Sequence, residues 1–376
     1  MISGELRTAG VVLAAGLSSR MGRCKAMLDI GGRSALATVI SSMSESDMEE
    51  IIVVTGYHRE EVEKETLRYG ARPVFNESCE SGMFSSVLAG VSAISEKIGA
   101  FFLLPVDVPM VRPSTLQNLK SFFSHNKGLD VVFPSFLGKR GHPPLISSGL
   151  VPEILQWDGN GGLRGLLSLH EEKALTVDTP DEGIVAEMNT PEEYSLLKIL
   201  ALNNGVPSEK ECLALWEIMA TPEVVRNHCR TVAKVVDSLS DHLKDRVPVD
   251  PPLLRMAALL HDMARSYPDH AVKAALQLDS WGFSPIADLV RFHMELPEEE
   301  PLLSGRSLLF LADKVTTGNR VTGLDKKYEL MEHKFRPDPA ALESAQKRLC
   351  RARETGLAFE KASGASLGDV LRKTHP

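Results

Sequence analysis

GVVLAAGLSSRMGRCK, residues 10–25, decides how the first half of the chain is read. An apolar, β-branched run ends at Leu13, Ala14, Ala15 and Gly16, then gives way to serines, a glycine and cations, among them Arg20 and Lys25 five residues apart. A short continuous apolar run of this kind reads as a buried parallel strand. Open α/β sheets bind ligands in the crevice beyond the carboxyl ends of their strands. Small residues at that point let backbone N–H groups approach a phosphate chain, while Arg20 and Lys25 can neutralise a triphosphate and the charge growing on departing pyrophosphate. The plain alternative is a surface turn with scattered charge. Neither the G-x-x-x-x-G-K-[ST] loop nor a G-x-G-x-x-G turn occurs in the stretch, which argues against a P-loop NTPase and a dinucleotide dehydrogenase.

Outward from this stretch, EIIVVTGY (50–57), AFFLLPVD (100–107) and LDVVFPSF (129–136) repeat the strand pattern, with helical stretches between them up to about residue 195. Strands alternating with helices predict an α/β domain on a mostly parallel sheet. After NNGVPSEKE (203–211) the strand-like runs stop. ECLALWEIMA (211–220), EVVRNHCRTVAKVVDSLSDHL (223–243), LLRMAALLHDMAR (253–265) and SLLFLADKV (307–315) carry apolar residues at helical spacing. The expected organisation is an α/β domain over residues 1–204 followed by an all-α domain over residues 205–376.

A chain of 376 residues fits two domains of ordinary size. With 43% hydrophobic and 24% charged residues it reads as globular. It has no apolar run approaching the roughly 20 residues that span a bilayer. MISGELRTAG lacks the basic start and long apolar stretch of a signal peptide, and the five cysteines (24, 79, 212, 229 and 350) form no CxxC pair. A reducing cytoplasm is therefore expected. The net charge of −8 argues against a surface that coats nucleic acid, so neither nucleic acid nor membrane is an expected partner.

The pattern L-A-A-G-x-S-x-R-M-G-x-x-K resembles the signature of the MobA-like nucleotidyltransferases related to molybdenum cofactor cytidylyltransferase, and further segments agree in order. SGMFSSVLAG (81–90) resembles the nucleobase-side segment of that family, LPVDVPMV (104–111) its metal-aspartate strand, and GKRGHPPLIS (138–147) its GHP segment. GNGGLRGLL (159–167) and EMNTPEEY (187–194) resemble its closing motifs. The resemblance covers roughly the first 200 residues. It implies a Rossmann-like sheet and attack of a substrate phosphate on the α-phosphorus of an NTP, with pyrophosphate leaving.

Arg20, Lys25 and a Mg²⁺ ion would supply the positive charge for that step, with Asp107 holding the ion. Leu13, Ala14, Ala15, Gly16, Arg20, Lys25, Gly82 and Ser86 would bind the nucleotide, Ser86 at the base or ribose. Where the family commonly has Asp in its closing motif, this chain has Asn189, a neutral oxygen ligand. In this family LAAG goes with cytidine nucleotides, which implies CTP, and the resemblance to molybdenum cofactor cytidylyltransferases implies a molybdopterin-type acceptor. His142 is a possible substrate contact. Local readings compete: Asp107 as a helix cap beside Pro109, His142 as a pre-proline turn residue, Ser85 and Ser86 as helix-start residues. The acceptor could instead be a sugar or alditol phosphate. The domain could also be a binding module that senses nucleotide or presents the cofactor to a molybdoenzyme.

The helical half has its own constellation. His228 lies in a helix expected to start at Thr221-Pro222-Glu223 with Thr221 as cap, the His261-Asp262 pair ends an apolar helix, and Asp313 closes SLLFLAD. Two histidines and two aspartates from separate helices can converge on one divalent ion and leave a position for water. This set resembles the HD phosphohydrolase superfamily, with Asp262 as the central catalytic ligand. Mixed imidazole and carboxylate suits Mn²⁺, Fe²⁺, Co²⁺, Ni²⁺ or Zn²⁺ better than Mg²⁺. His270 and His293 could extend the site to a second metal, and Lys314 and Arg320 could hold a substrate phosphate or form a solvated helix face. The HDxxED variant is absent, since the chain reads HDMAR.

Overall fold

Thr8–Leu13 forms β1, a strand buried along its whole length, as a valine-rich run covered on both faces must be. In the computed structural model, which describes residues 6–17, 22–202, 205–244 and 246–374, the chain divides into two compact units, Met1–Asn204 and Gly205–Pro376. The other main strands of the first unit are β2 (Glu50–Thr55), β3 (Arg72–Phe75), β4 (Ala100–Pro105), β5 (Val131–Phe136), β6 (Leu145–Ser147) and β7 (Ala174–Asp178). Their order across the sheet is β7-β5-β6-β4-β1-β2-β3. All neighbours are parallel except β6, which runs antiparallel to both β4 and β5.

Register brings three carboxyl ends to one edge. Leu13 lies opposite Val54 of β2 and Pro105 of β4. Beyond it the Ala14 N–H donates to the Val54 carbonyl at 2.9 Å, and the Val106 N–H donates to the Leu13 carbonyl at 3.1 Å. A Cβ at Gly56 would meet the Ala15 carbonyl oxygen at 2.6 Å, so only glycine lets the turn after β2 press on the turn after β1. The helices of this unit are α1 (Ala35–Ser44), α2 (Arg59–Arg68), α3 (Met83–Ser92), α4 (Pro113–His125), α5 (Val151–Gln156), α6 (Gly162–Leu167) and α7 (Pro191–Leu202). One core lies where Val11 and Leu13 meet Val87 and Val91 of α3, Phe101 of β4 and Leu166 of α6.

The second unit contains α8 (Glu209–Ile218), α9 (Glu223–Leu243), α10 (Pro251–Leu260), α11 (His270–Ser280), α12 (Ser284–Arg291), α13 (Gly305–Lys314), α14 (Gly323–Phe335), α15 (Pro339–Ser363) and α16 (Leu367–Thr374). Ser208 and Glu211 close a capping box on α8, which satisfies two of its orphan N–H groups. The expected cap of α9 is corrected: Pro222 occupies that position, while the Thr221 hydroxyl donates to the buried Met263 carbonyl at 2.7 Å. Val232, Val236 and Leu239 of α9 join Leu254 and Ala257 of α10 and Leu308 of α13 in one core. The unit also departs from all-helical by a two-stranded ribbon, Thr316–Thr317 with Arg320–Val321, too short to show as strand periodicity. Among the described residues no helix is long and apolar enough to cross a membrane.

Candidate active sites

The first site lies at the edge where β1, β2 and β4 end. A cavity of about 420 Å³ there is lined by Leu13, Ala14, Ala15, Gly16, Lys25, Gly82, Ser86, Asp107 and Asn189, together with Cys24 and Tyr57. Lys25 enters on a short 3₁₀ turn, Lys25–Met27. Its ammonium donates to Asp107 Oδ2 at 3.0 Å and to Asn189 Oδ1 at 2.7 Å. The Asn189 amide donates in turn to Glu187 at 2.5 Å. Asp107 follows β4 in a turn rather than capping a helix, and its carbonyl accepts from the Met188 N–H at 3.0 Å, which ties the closing motif to the strand end. The two side-chain oxygens therefore face a common cationic point. Carboxylate and amide oxygens are also the hard donors that Mg²⁺ accepts.

The opposite wall is built from α3. Buried Asn76 donates to Ser85 Oγ at 2.8 Å and to Ser86 Oγ at 3.0 Å, and Gly82, at φ +95°, turns the chain into the helix. Asn76 carried no motif signal, because its role is read only through the two serines it holds. His142 does not line the cavity. It precedes a cis proline, its N–H donates to the Ile184 carbonyl at 2.8 Å, and burial pushes its imidazole pKa down against the pull of Asp107 and Glu187. Arg20 lies outside the described residues.

The second site gathers side chains from five elements. His228 comes from α9, His261 and Asp262 follow α10, His270 opens α11, His293 follows α12, and Asp313 stands near the end of α13. Asp262 Oδ1 is 3.1 Å from His270 Nε2 and 3.2 Å from His293 Nε2. Asp262 Oδ2 faces His261 Nε2 at 3.9 Å and His228 Nε2 at 4.0 Å, and Asp313 Oδ1 is 3.1 Å from His228 Nε2. Asp262 thus stands between two imidazole pairs. The sequence left His270 and His293 undecided, because contact between helices has no spacing rule.

Ring orientation gives this cluster its chemical character. His228, His261 and His293 donate Nδ1–H to the carbonyls of Gly318, Ala258 and Val290 at 2.8, 2.7 and 2.7 Å, which fixes the tautomer and leaves each Nε2 as a lone pair. The buried His261 Nε2 has no hydrogen-bond partner. Lone pairs of three imidazoles thus face two carboxylates, an arrangement of acceptors that a divalent cation reconciles. Burial opposes ionisation of Asp313, and the Lys314 ammonium outweighs it.

A cavity of about 290 Å³ opens on these ligands, lined by His228, Asp262, Arg265, Asp313, Lys314 and Lys327 with apolar Val224, Val225, Met294 and Met331. Lys314 is buried, not a solvated face, and its ammonium is engaged by Asp313 Oδ2 at 2.6 Å and the His293 carbonyl at 3.3 Å. Arg320 is exposed on the ribbon and is not among the lining residues. Arg265 and Lys327 take the cationic places instead. Lys327 donates to the Thr316 carbonyl at 2.6 Å, and burial pushes its pKa down.

A mostly parallel sheet with Lys25, Asp107 and Asn189 at its carboxyl edge defines a nucleotidyltransferase-type domain, and the imidazole–carboxylate cluster defines a metal-binding helical one. Residues 10–174 match the MobA-like NTP transferase domain and residues 225–318 the HD domain. The chain belongs to the MobA-like NTP transferase family and carries an HD domain in addition. It is 32% identical over 198 residues to nicotine blue oxidoreductase of Paenarthrobacter nicotinovorans, a match covering 50% of this chain and 95% of that protein. Molybdenum cofactor cytidylyltransferase of Escherichia coli is 27% identical, covering 50% of this chain and 94% of the relative. Bifunctional protein GlmU of Azorhizobium caulinodans is 31% identical, covering 50% of this chain but only 40% of the relative's length.

Proposed function

We propose that the chain is bifunctional: the first unit transfers CMP from CTP to a molybdopterin-bound molybdenum cofactor, and the second is a metal-dependent phosphohydrolase. The observation that carries the transferase reading is the Lys25 ammonium set between Asp107 and Asn189 on the wall of the cavity. The similarity to molybdenum cofactor cytidylyltransferase favours the acceptor, and LAAG at 13–16 favours CTP. An acceptor phosphate oxygen bonds to the α-phosphorus, the bond to the β-phosphate bridge breaks, and pyrophosphate leaves with the electron pair. Lys25 neutralises the phosphate chain through that step, and the backbone of Ala14–Gly16 cradles it. Ser86, fixed by Asn76, faces the nucleoside. Asp107 and Asn189 would hold Mg²⁺, which when bound adds charge neutralisation on the phosphates.

In the second unit His228, His261, Asp262 and Asp313, extended by His270 and His293, would hold one or two transition-metal ions. Such an ion, when bound, lowers the pKa of its water towards neutrality. Arg265 and Lys327 orient an anionic substrate at the cavity wall. The experiment for the transferase is pyrophosphate release from each of the four common NTPs with Mg²⁺ and molybdopterin. CTP should exceed GTP by roughly tenfold or more in kcat/KM; equal or reversed values refute the cytidine assignment. For the second unit, hydrolysis of a panel of nucleotides, cyclic nucleotides and phosphate monoesters with Mn²⁺, Co²⁺ or Ni²⁺ decides the matter, and no turnover on the whole panel removes the reading.

A further inference from the structure

Beside the nucleotide cavity stands a third group of donors that neither activity uses. Cys24 immediately precedes Lys25 and lines the cavity; His58 occupies the N-cap of α2 and Glu61 its first turn. The sulfur of Cys24, a ring nitrogen of His58 and a carboxylate oxygen of Glu61 all lie within 4.8 Å of one another. Glu61 Oε1 is 3.1 Å from His58 Nδ1, while His58 Nε2 lies 3.4 Å from the Leu17 carbonyl and donates its proton there. A metal ion would take the Nδ1 position, displacing the proton that Nδ1 shares with Glu61, while Nε2–H keeps the Leu17 carbonyl. A carbonyl on the far ring nitrogen is the outer support that metal-binding histidines ordinarily have.

We propose that Cys24, His58 and Glu61 form a Zn²⁺ site at the rim of the nucleotide cavity, separate from the oxygen pair of Asp107 and Asn189. Zn–S bonds of about 2.3 Å and Zn–N bonds of about 2.0 Å place tetrahedral neighbours roughly 3.5 Å apart. Donors already within 4.8 Å reach that spacing by small side-chain rotations. A thiolate, an imidazole and one carboxylate select Zn²⁺ over Mg²⁺, so the two cation positions of this unit are sorted by donor chemistry. Three protein ligands leave a fourth position for water or for an oxygen of the bound nucleotide. Burial first, then the Glu61 carboxylate, pushes the Cys24 thiol up to about 11. It is therefore a thiol without metal and releases its proton as the ion binds. Bound Zn²⁺ links the residue next to Lys25 with the start of α2 and holds that wall of the cavity together.

The test uses the full chain. Zinc content after dialysis against Zn²⁺, read by elemental analysis, should fall by about one ion per chain in Cys24→Ser and stay unchanged in Cys350→Ser, whose cysteine is exposed. Equal zinc content in the wild type and Cys24→Ser overturns the site. Co²⁺ titration supplies the second reading. A thiolate-to-cobalt charge-transfer band should appear, vanish in Cys24→Ser, persist in Cys229→Ser, and need at least about tenfold more Co²⁺ in His58→Ala. A band that survives Cys24→Ser, or no band in the wild-type chain, overturns it.

Discussion

The two candidate active sites solve the same problem, gathering hydrogen-bond acceptors in one place, in opposite ways. At the sheet edge the chain supplies its own cation: Lys25 stands between the oxygens of Asp107 and Asn189, at 3.0 and 2.7 Å. In the helical unit most hydrogen-bond donors of the ligand rings are turned outward, and the buried His261 Nε2 is left without a partner. The contrast is chemical. A site with an internal ammonium suits an anionic substrate and an oxygen-loving ion, whereas a set of facing lone pairs suits a metal ion that reconciles them.

Breaking the metal-dependent side of this comparison gives the largest expected effect. Asp262→Ala removes the carboxylate shared by both imidazole pairs. Since outer supports of metal sites alone are worth about 10–100-fold, phosphohydrolase activity should fall by more than about 10³-fold and the transition metal should be lost from the purified chain. Metal content by elemental analysis checks this, and unchanged content contradicts it. Lys25→Ala comes next, with pyrophosphate release reduced about 10²-fold and the melting temperature little changed, because Lys25 is part of a cavity wall and not of the core. Wild-type turnover in that variant would remove the transferase assignment.

Smaller effects sharpen the picture. Asn76→Ala releases Ser86, while Ser85 keeps the Ser78 and Gly82 carbonyls, so KM for the nucleotide should rise about tenfold with kcat nearly held, as the loss of hydrogen bonds worth about 1.4 kcal/mol implies; a fall in kcat at constant KM contradicts a positioning role. Asn189→Asp is the mildest. An added carboxylate should shift the Mg²⁺ midpoint of transfer down by about fivefold, the scale of a partly exposed ion pair, and an unchanged titration takes Asn189 out of the metal shell.

The fold was legible where local pattern and burial coincide. The runs at 10–13, 50–55 and 100–105 are strands buried between layers, and their apolar continuity comes from that burial. The antiparallel β6 was not legible, because a three-residue strand carries no periodicity. Site residues divide the same way. Lys25, Asp107 and Asn189 lie in local motifs, and the structure places their side chains together, as it does His228, His261, Asp262 and Asp313. Asn76, Arg265 and Lys327 matter through contacts across turns and between elements, Asn76 with Ser85 and Ser86, Arg265 with His270, and Lys327 with Thr316, at spacings that follow no helix or strand rule. Thr221 misled because a good capping residue was needed more by a buried carbonyl than by a helix end.

The most direct test of the whole account is pyrophosphate release by the full-length chain, its Lys25→Ala variant and its Asp262→Ala variant, each with CTP, Mg²⁺ and molybdopterin. The account predicts equal release by the wild type and Asp262→Ala, about 10²-fold less from Lys25→Ala, and one CMP joined to the acceptor for each pyrophosphate freed. Release that survives Lys25→Ala at the wild-type rate, or that is lost in Asp262→Ala alone, would contradict it.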